Sequence, residues 1–207
     1  MHIVCLDLEG VLVPEIWIAV AERTGIADLR LTTRDVANYD DLMQHRIRVM
    51  AREGLGLDLI QEVIGTLEPL PGAAGFIAAL RERHQVVILS DTFYEFGMPL
   101  MRKLGMPTLL CHRLVIDEQR RIVGYRLRQA DPKRQSVKAF KSLNYKTVAA
   151  GDSYNDVPML EEAHAGLFFH APENVRRDHP QFPGFDTYEA LADAIDAAMQ
   201  AAVAADA

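Results

Sequence analysis

Asp7 and Glu9 stand two residues apart at the end of an apolar run, HIVCLDL, immediately before Gly10. On extended backbone, side chains at i and i+2 share a face, so the two carboxylates point one way. A second acidic cluster, GDSYND, follows the run KTVAA and offers Asp152 and Asp156, with Gly151 to let the backbone turn. If the two runs are neighbouring strands, Asp7 and Asp152 converge. Hard carboxylate oxygens with open positions between them suit Mg²⁺, which keeps waters and takes its remaining ligands from substrate phosphate. Ser90, ending QVVILS, and Lys133, opening a helical pattern, add a hydroxyl and a cation near the same edge.

The elements that must position these groups are legible as alternation. Short apolar runs (HIVCLDL, QVVILSD, TLLCHRLV, KTVAAGD, AGLFFHA) recur, each followed by a turn signal and then a helical pattern. This predicts parallel crossovers and an α/β fold with a doubly wound, mostly parallel sheet, whose ligands bind beyond the carboxyl ends of the strands. Two stretches break the pattern. From about Pro14 to Pro71 there is no strand-like run, only helical spacing in EIWIAVAERTG, TRDVANYDDLMQHRIRVMAREG and LDLIQEVIGTL. A helical cap over residues 14–72, entered at Pro14 and left through PLPG, is therefore expected to interrupt a core of residues 1–13 and 73–207. The second break, CHRLVIDEQRRIVGYRLRQ, has two alternating runs around a polar turn at Asp117 to Arg120, the pattern of a β-hairpin flap. After it, Asp131 is expected to cap a helix with Pro132 at its first position. The Ala-rich tail carries Tyr188, Leu191, Ile195 and Met199 at the spacing of a core-facing helix.

Composition narrows the partners. The 207 residues carry 22 Lys and Arg against 29 Asp and Glu, a formal charge of -7, which argues against nucleic acid and anionic membrane surfaces. No apolar stretch is long enough for a membrane span, and the opening MHIVCLDLEG lacks a basic leader region, so a cytoplasmic location is expected. Cys5 and Cys111 lie in apolar runs and read as buried thiols, in keeping with a reducing compartment.

Taken in order, LDLEGVLV, VVILS, the lone Lys133 and GDSYND resemble the four motifs of the haloacid dehalogenase superfamily of aspartyl-phosphate enzymes. A phospho-accepting domain of receiver type uses a similar residue set. It fails on architecture, because its phosphorylated Asp ends the third strand and no long helical insertion is expected. Within the superfamily, DLEGVLVPEIW, SDTFYEF, DPKRQS, AAGDSYND and FHAPENV resemble the phosphoserine phosphatases. Ordinary members carry Asp followed by Ser-Thr where this chain has Glu9, Gly10 and Val11; the rarer form that also transfers phosphate to homoserine carries Glu there. The resemblance implies Asp7 as nucleophile, with Mg²⁺ held by Asp7, the backbone carbonyl of Glu9 and the side chain of Asp152. It implies Ser90 and Lys133 on the transferring oxygens, Asp156 behind Lys133 or the metal waters, and Glu9 as general acid and base. Glu15 matches the residue that binds the substrate ammonium and Arg46 the lid arginine that clamps its carboxylate, with Arg48 a competitor in sequence. Asp91 and Asn155 are counted with the substrate-binding residues, although Asn155 and Asp156 also read as a turn residue and a helix N-cap. Phosphoserine is the expected substrate and homoserine a possible second acceptor.

Other prominent side chains receive structural readings. His45 is expected on the lid surface, and His112, His164 and His170 are too scattered in sequence to form a ligand set. Trp17, Phe93, Tyr94 and Phe96 are expected to pack the lid and the helix after QVVILSD, with Phe93 or Tyr94 able to wall the pocket. RRDHP, Arg176 to Pro180, reads as a charged loop.

Overall fold

In the computed structural model, which describes residues 1–32, 35, 36 and 38–204, strand β1 (His2–Leu6) lies at the centre of a seven-stranded sheet. It pairs in parallel with β2 (Gln85–Phe93) on one side and with β5 (Lys146–Gly151) on the other. Beyond β2 come β3 (Thr108–Ile116) and β4 (Ile122–Arg126), and beyond β5 come β6 (Ala165–Phe169) and β7 (Gly184–Phe185). All pairings are parallel except β3 with β4. The chain thus departs from β1 in two directions, and the crevice beyond the ends of β1 and β5 is the switch point where such sheets bind ligands. Asp7 follows β1 and Asp152 follows β5, so the expected convergence is built into the strand order.

Alternation along the central strands sorts their side chains into two cores. Val4 and Leu6 of β1 join one cluster and Ile3 and Cys5 the other, each sheet face being closed by helices. Both cysteines are buried and free. The first face is covered by α4 (Ala73–Arg83), α5 (Tyr94–Lys103) and α9 (Tyr188–Ala204), the last through Leu191, Ile195 and Met199. The second is covered by α6 (Pro132–Ser142), α7 (Val157–Glu162) and α8 (Glu173–Asp178).

Between β1 and α4 the described residues form helices and no strand: α1 (Ile16–Thr24), a 3-10 turn at Ala27–Arg30, α2 (Tyr39–Glu53) and α3 (Leu57–Thr66). Asn38 caps α2 by accepting from the Asp41 N–H (3.1 Å), so the helix begins at Tyr39 rather than at the start of the TRDVANYDD pattern. Thr33, Arg34 and Ala37 of that pattern, and Ala205 to Ala207 of the tail, lie outside the described residues. The segments that enter and leave the insertion are tied together where the Leu70 N–H donates to the Leu12 carbonyl (2.9 Å). No helix among the described residues is long and apolar enough to cross a membrane.

The expected hairpin is present as β3 and β4, and its first arm also pairs with β2. Two expectations need correction. Asp131 occupies the N-cap position of α6 with Pro132 behind it, but its backbone is left-handed and its side chain does not cap. The carboxylate pairs with Arg134 (3.2 Å) instead. The charged loop at Arg176 is partly helix: Arg176 and Arg177 belong to α8, and Arg176 pairs with Asp186 beside β7, a strand too short for periodicity to reveal.

Gly151 shows how closely the turn after β5 is drawn in. A Cβ at this position would lie 2.3 Å from the Asp156 carboxyl carbon. Gly151→Ala is expected to destabilise the fold by about 1–3 kcal/mol through overpacking. Urea unfolding checks this, and an unchanged midpoint would mean that the GDSYND turn has room to give.

Candidate active site

Lys133, the second residue of α6, is 3% exposed and reaches between the two central strand ends. Its Nζ donates to Asp7 Oδ1 (2.7 Å) and Asp156 Oδ1 (2.6 Å) and lies 3.8 Å from Asp91 Oδ2. Burial alone pulls the lysine pKa down, but Asp156, Asp7 and Asp91 outweigh it and raise it well above the ordinary value, so the ammonium stays charged. Asp156 uses its second oxygen to accept from the N–H groups of Asp152 (2.9 Å) and Ser153 (3.1 Å). It stands at the N-cap position of α7 but makes no capping bond; its carboxylate folds back to hold the turn and Lys133.

Asp7, Asp152 and Asp156 are all buried, and one oxygen from each lies within 4.8 Å of the others. The cluster holds more negative charge than Lys133 neutralises: burial and Asp156 together hold the Asp7 pKa well above the carboxylate range despite the lysine. Gly10 sits with φ +82° and its backbone against Asp152, where a Cβ would come within 2.5 Å of Oδ2. Crowded hard oxygens short of positive charge suit a divalent cation of the Mg²⁺ type. Because Asp156 is committed to Lys133 and two amides, Asp7 and Asp152 are the better placed side-chain ligands.

The opposite wall comes from the helical insertion. Glu9 turns away from the acidic cluster: its Oε2 accepts from the Ile16 N–H (2.9 Å) at the start of α1, where the helix dipole favours an anion. Burial and Glu15 nevertheless push its pKa up to about 7, against the opposing pull of Ile16 and Arg46. Glu15 and Arg46 line the same cleft of about 160 Å³, together with Ser90, Asp91, Thr92 and Asn155. Arg46 is 6% exposed; its Nη2 donates to the Leu31 carbonyl (2.8 Å), its guanidinium carbon lies 4.5 Å above the Trp17 ring, and its buried Nε has no hydrogen-bond partner among the described residues. Arg48 faces solvent, so Arg46 is the lid arginine that the fold turns inward.

All the residues singled out from sequence except Asp156 line this cleft, and Asp156 lies directly behind Lys133. Asn155 donates to Asp91 Oδ2 (3.0 Å), which fixes both side chains on the cleft wall. Burial raises the Asp91 pKa, but Lys133, His112 and Asn155 together bring it down to about 2. Sequence reading passed over Tyr39 and Thr92, set His112 aside as too scattered, and took Trp17 as packing alone; Trp17 does pack on Phe96, and it lines the cleft as well. Tyr39 opens α2 and donates its hydroxyl to the Asp91 carbonyl (2.9 Å) from 52 positions away. His112 is buried on β3, accepts from the Arg128 N–H at Nδ1 (3.0 Å), and places Nε2 3.7 Å from Asp91 Oδ1. Its position on the strand beside β2 was the available signal, not its spacing from other histidines. Phe93 and Tyr94 do not wall the cleft: Phe93 is core, and the Tyr94 hydroxyl donates to Leu109.

A family model of haloacid dehalogenase-like hydrolases matches residues 1–164. Phosphoserine phosphatase ThrH of Pseudomonas aeruginosa is 68% identical over 191 residues, covering 92% of this chain and 93% of its own. A phosphoserine phosphatase of Pseudomonas syringae pv. tomato is 65% identical, covering 92% of this chain and 81% of its own. Among solved structures, a phospho-aspartyl intermediate analogue of phosphoserine phosphatase shares the fold with a TM-score of 0.71 at 19% identity, over 85% of this chain and 90% of that one.

The cluster's carboxylates are not equivalent. Asp156→Asn places an amide NH₂ against either Lys133 or two backbone donors and is expected to destabilise by about 1–3 kcal/mol. Asp7→Asn removes one charge from a crowded site and should leave the thermal midpoint equal or higher. Equal losses in the two variants, measured by thermal unfolding, would contradict this division.

Proposed function

The chain belongs to the haloacid dehalogenase-like hydrolases, and from that membership we propose that it is a Mg²⁺-dependent phosphoserine phosphatase that works through an aspartyl phosphate on Asp7 and also passes the phosphoryl group to homoserine. The observation that carries this reading is one small cleft with Asp7 and Lys133 on its core wall and Glu15 and Arg46 on its lid wall. A phosphoserine has a dianion at one end and an ammonium and a carboxylate at the other, and the two walls match those ends. The names of the two Pseudomonas relatives support the same substrate. The helices of residues 14–72 then act as a lid on the core of 1–13 and 73–207. Two free buried cysteines fit a cytoplasmic setting.

In the proposed reaction Arg46 takes the substrate carboxylate and Glu15 its ammonium, which sets the ester oxygen toward Glu9. Lys133 and the Ser90 hydroxyl donate to the non-bridging phosphoryl oxygens, and Asp91 and Asn155 brace that wall. Mg²⁺ would be held by carboxylate oxygens of Asp7 and Asp152 and the Glu9 carbonyl, and when bound supplies the positive charge that lets a carboxylate approach a phosphate dianion. Asp7 attacks phosphorus as the P–O(serine) bond breaks, and Glu9, with a pKa near neutrality, gives its proton to the departing serine oxygen. Glu9, now a carboxylate, takes the proton of an acceptor hydroxyl. Attack by that oxygen on the aspartyl phosphate restores Asp7 and yields phosphate from water or phosphohomoserine from homoserine.

Homoserine is serine with one more methylene, so Arg46 and Glu15 suit both. A positioned hydroxyl reaches an effective molarity of about 10⁵ M or more, enough to compete with water at about 55 M. A phosphatase that uses water alone is the second reading, and the Glu9 variant of the motif favours transfer over it. The receiver-type alternative is disfavoured by Asp7 ending the first strand and by the helical insertion.

Turnover of phosphoserine with Mg²⁺, with and without homoserine, is the direct test. Homoserine should lower phosphate release and produce phosphohomoserine, Glu9→Asp should shift the partition toward hydrolysis, and Asp7→Asn should abolish both products. A wild-type product mixture unmoved by saturating homoserine would remove transfer; normal turnover by folded Asp7→Asn would remove the mechanism. Loss of a buried bidentate Arg–carboxylate contact costs about 2–5 kcal/mol, so Arg46→Ala should depress phosphoserine use far more than use of a small aryl phosphate. Arg48→Ala should do neither, and a phosphoserine-selective loss there would reassign the clamp.

A further inference from the structure

Trp17, the single tryptophan of the chain, is 7% exposed and wedged between core and lid. One edge meets Phe96 of α5 (centroids 5.4 Å apart, planes at 73°), while the Arg46 guanidinium lies over its indole face. Trp17 lines the cleft itself. Besides the pull of Glu9 and Glu15, Arg46 has few direct contacts among the described residues: Nη2 is tied to the Leu31 carbonyl, Nη1 meets the Met43 sulfur at 3.6 Å, and Nε is buried with no hydrogen-bond partner among them. A guanidinium held by one carbonyl would be free to swing about that bond. The aromatic face beneath it removes that freedom and favours one plane of the guanidinium, whose group as a whole lines the cleft. Trp17 also follows Ile16, whose N–H holds Glu9, so the first turn of α1 places the proton-transfer carboxylate and the support of the lid arginine side by side.

We propose that Trp17 is a positioning residue that determines substrate selectivity: its indole face orients the Arg46 guanidinium so that the enzyme prefers phosphate esters carrying a carboxylate. This rests on the reading of Arg46 as carboxylate clamp. Lysine at position 46 would lack the planar group that stacks and forks, and a smaller aliphatic residue at position 17 would leave Arg46 buried over a gap.

The test compares kcat/KM for phosphoserine and for a small aryl phosphate in Trp17→Leu, Trp17→Phe, Arg46→Ala and the Trp17→Leu/Arg46→Ala pair. A cation–π contact at a partly desolvated site corresponds to about 2- to 30-fold, so Trp17→Leu should lower the phosphoserine preference by that factor, mainly through KM. Trp17→Phe, which keeps an aromatic face and folds most conservatively, should recover part of it. If Trp17 acts through Arg46, adding Trp17→Leu to Arg46→Ala should lower the preference no further. Equal losses on both substrates, or full additivity in the pair, would overturn the proposal by showing a general packing role. Intrinsic fluorescence gives a readout that needs no substrate: Arg46→Ala uncovers the indole face and should shift the emission of the lone tryptophan. Unchanged emission would mean that the two groups do not stack in solution. An emission shift without selectivity in Arg46→Ala would instead place the failure in the clamp reading and leave the stacking intact.

Discussion

The buried ammonium of Lys133 is the interaction on which the rest of the site depends. One cation lies within 4 Å of Asp7, Asp91 and Asp156, groups that come from the ends of three elements with no local contact in sequence. Without it the carboxylates would repel one another in a medium of low polarity and the turns after β1 and β5 would be pushed apart. With it, the cluster is still anionic, and in the proposed reaction this residual charge is what a hard cation would offset. The same excess that limits stability is what the proposed chemistry uses.

Around this centre the helical insertion and the sheet share one buried apolar cluster, in which Leu29, Met43 and Ile60 join Leu6, Phe93 and Phe96, and polar contacts add to it. Tyr39 reaches the Asp91 carbonyl, Gln61 donates to the Glu95 carbonyl (2.8 Å), and Lys103 donates to the carbonyls of Gly65 (3.0 Å) and Leu67 (2.6 Å). From the hairpin, the Arg120 carbonyl accepts from the Leu57 N–H (2.9 Å) and its side chain pairs with Asp58. Hydrogen bonds of this kind are individually modest and exchange readily with water.

The first turn of α1 gathers groups from both walls of the cleft. Glu9 is drawn to the helix N-terminus, Glu15 precedes it, and Trp17 within it lies under Arg46. In the proposed reaction these side chains serve the two ends of one substrate, and one short segment sets their separation.

The alternation of strands and helices, the helical insertion, and the edge at which Asp7, Ser90, Lys133 and Asp152 meet were legible in the order of residues. These follow from local periodicity and from the rule that doubly wound sheets bind ligands at strand ends, so they need no knowledge of side-chain contacts. Order in the chain could not separate Arg46 from Arg48, decide for Asp156 between the expected place behind Lys133 and a cap on α7, or bring Tyr39 and His112 to Asp91. Those outcomes depend on the angle at which a lid helix packs and on which rotamer a closed turn allows. Short elements such as β7 and α8 escaped for the same reason: too few residues lie in them for a period to show, and pairing with β6 and packing on the sheet hold them in place. Two neighbouring arginines have the same chemistry and nearly the same sequence context, and only the packing of α2 against α1 buries one on Trp17 and leaves the other in water.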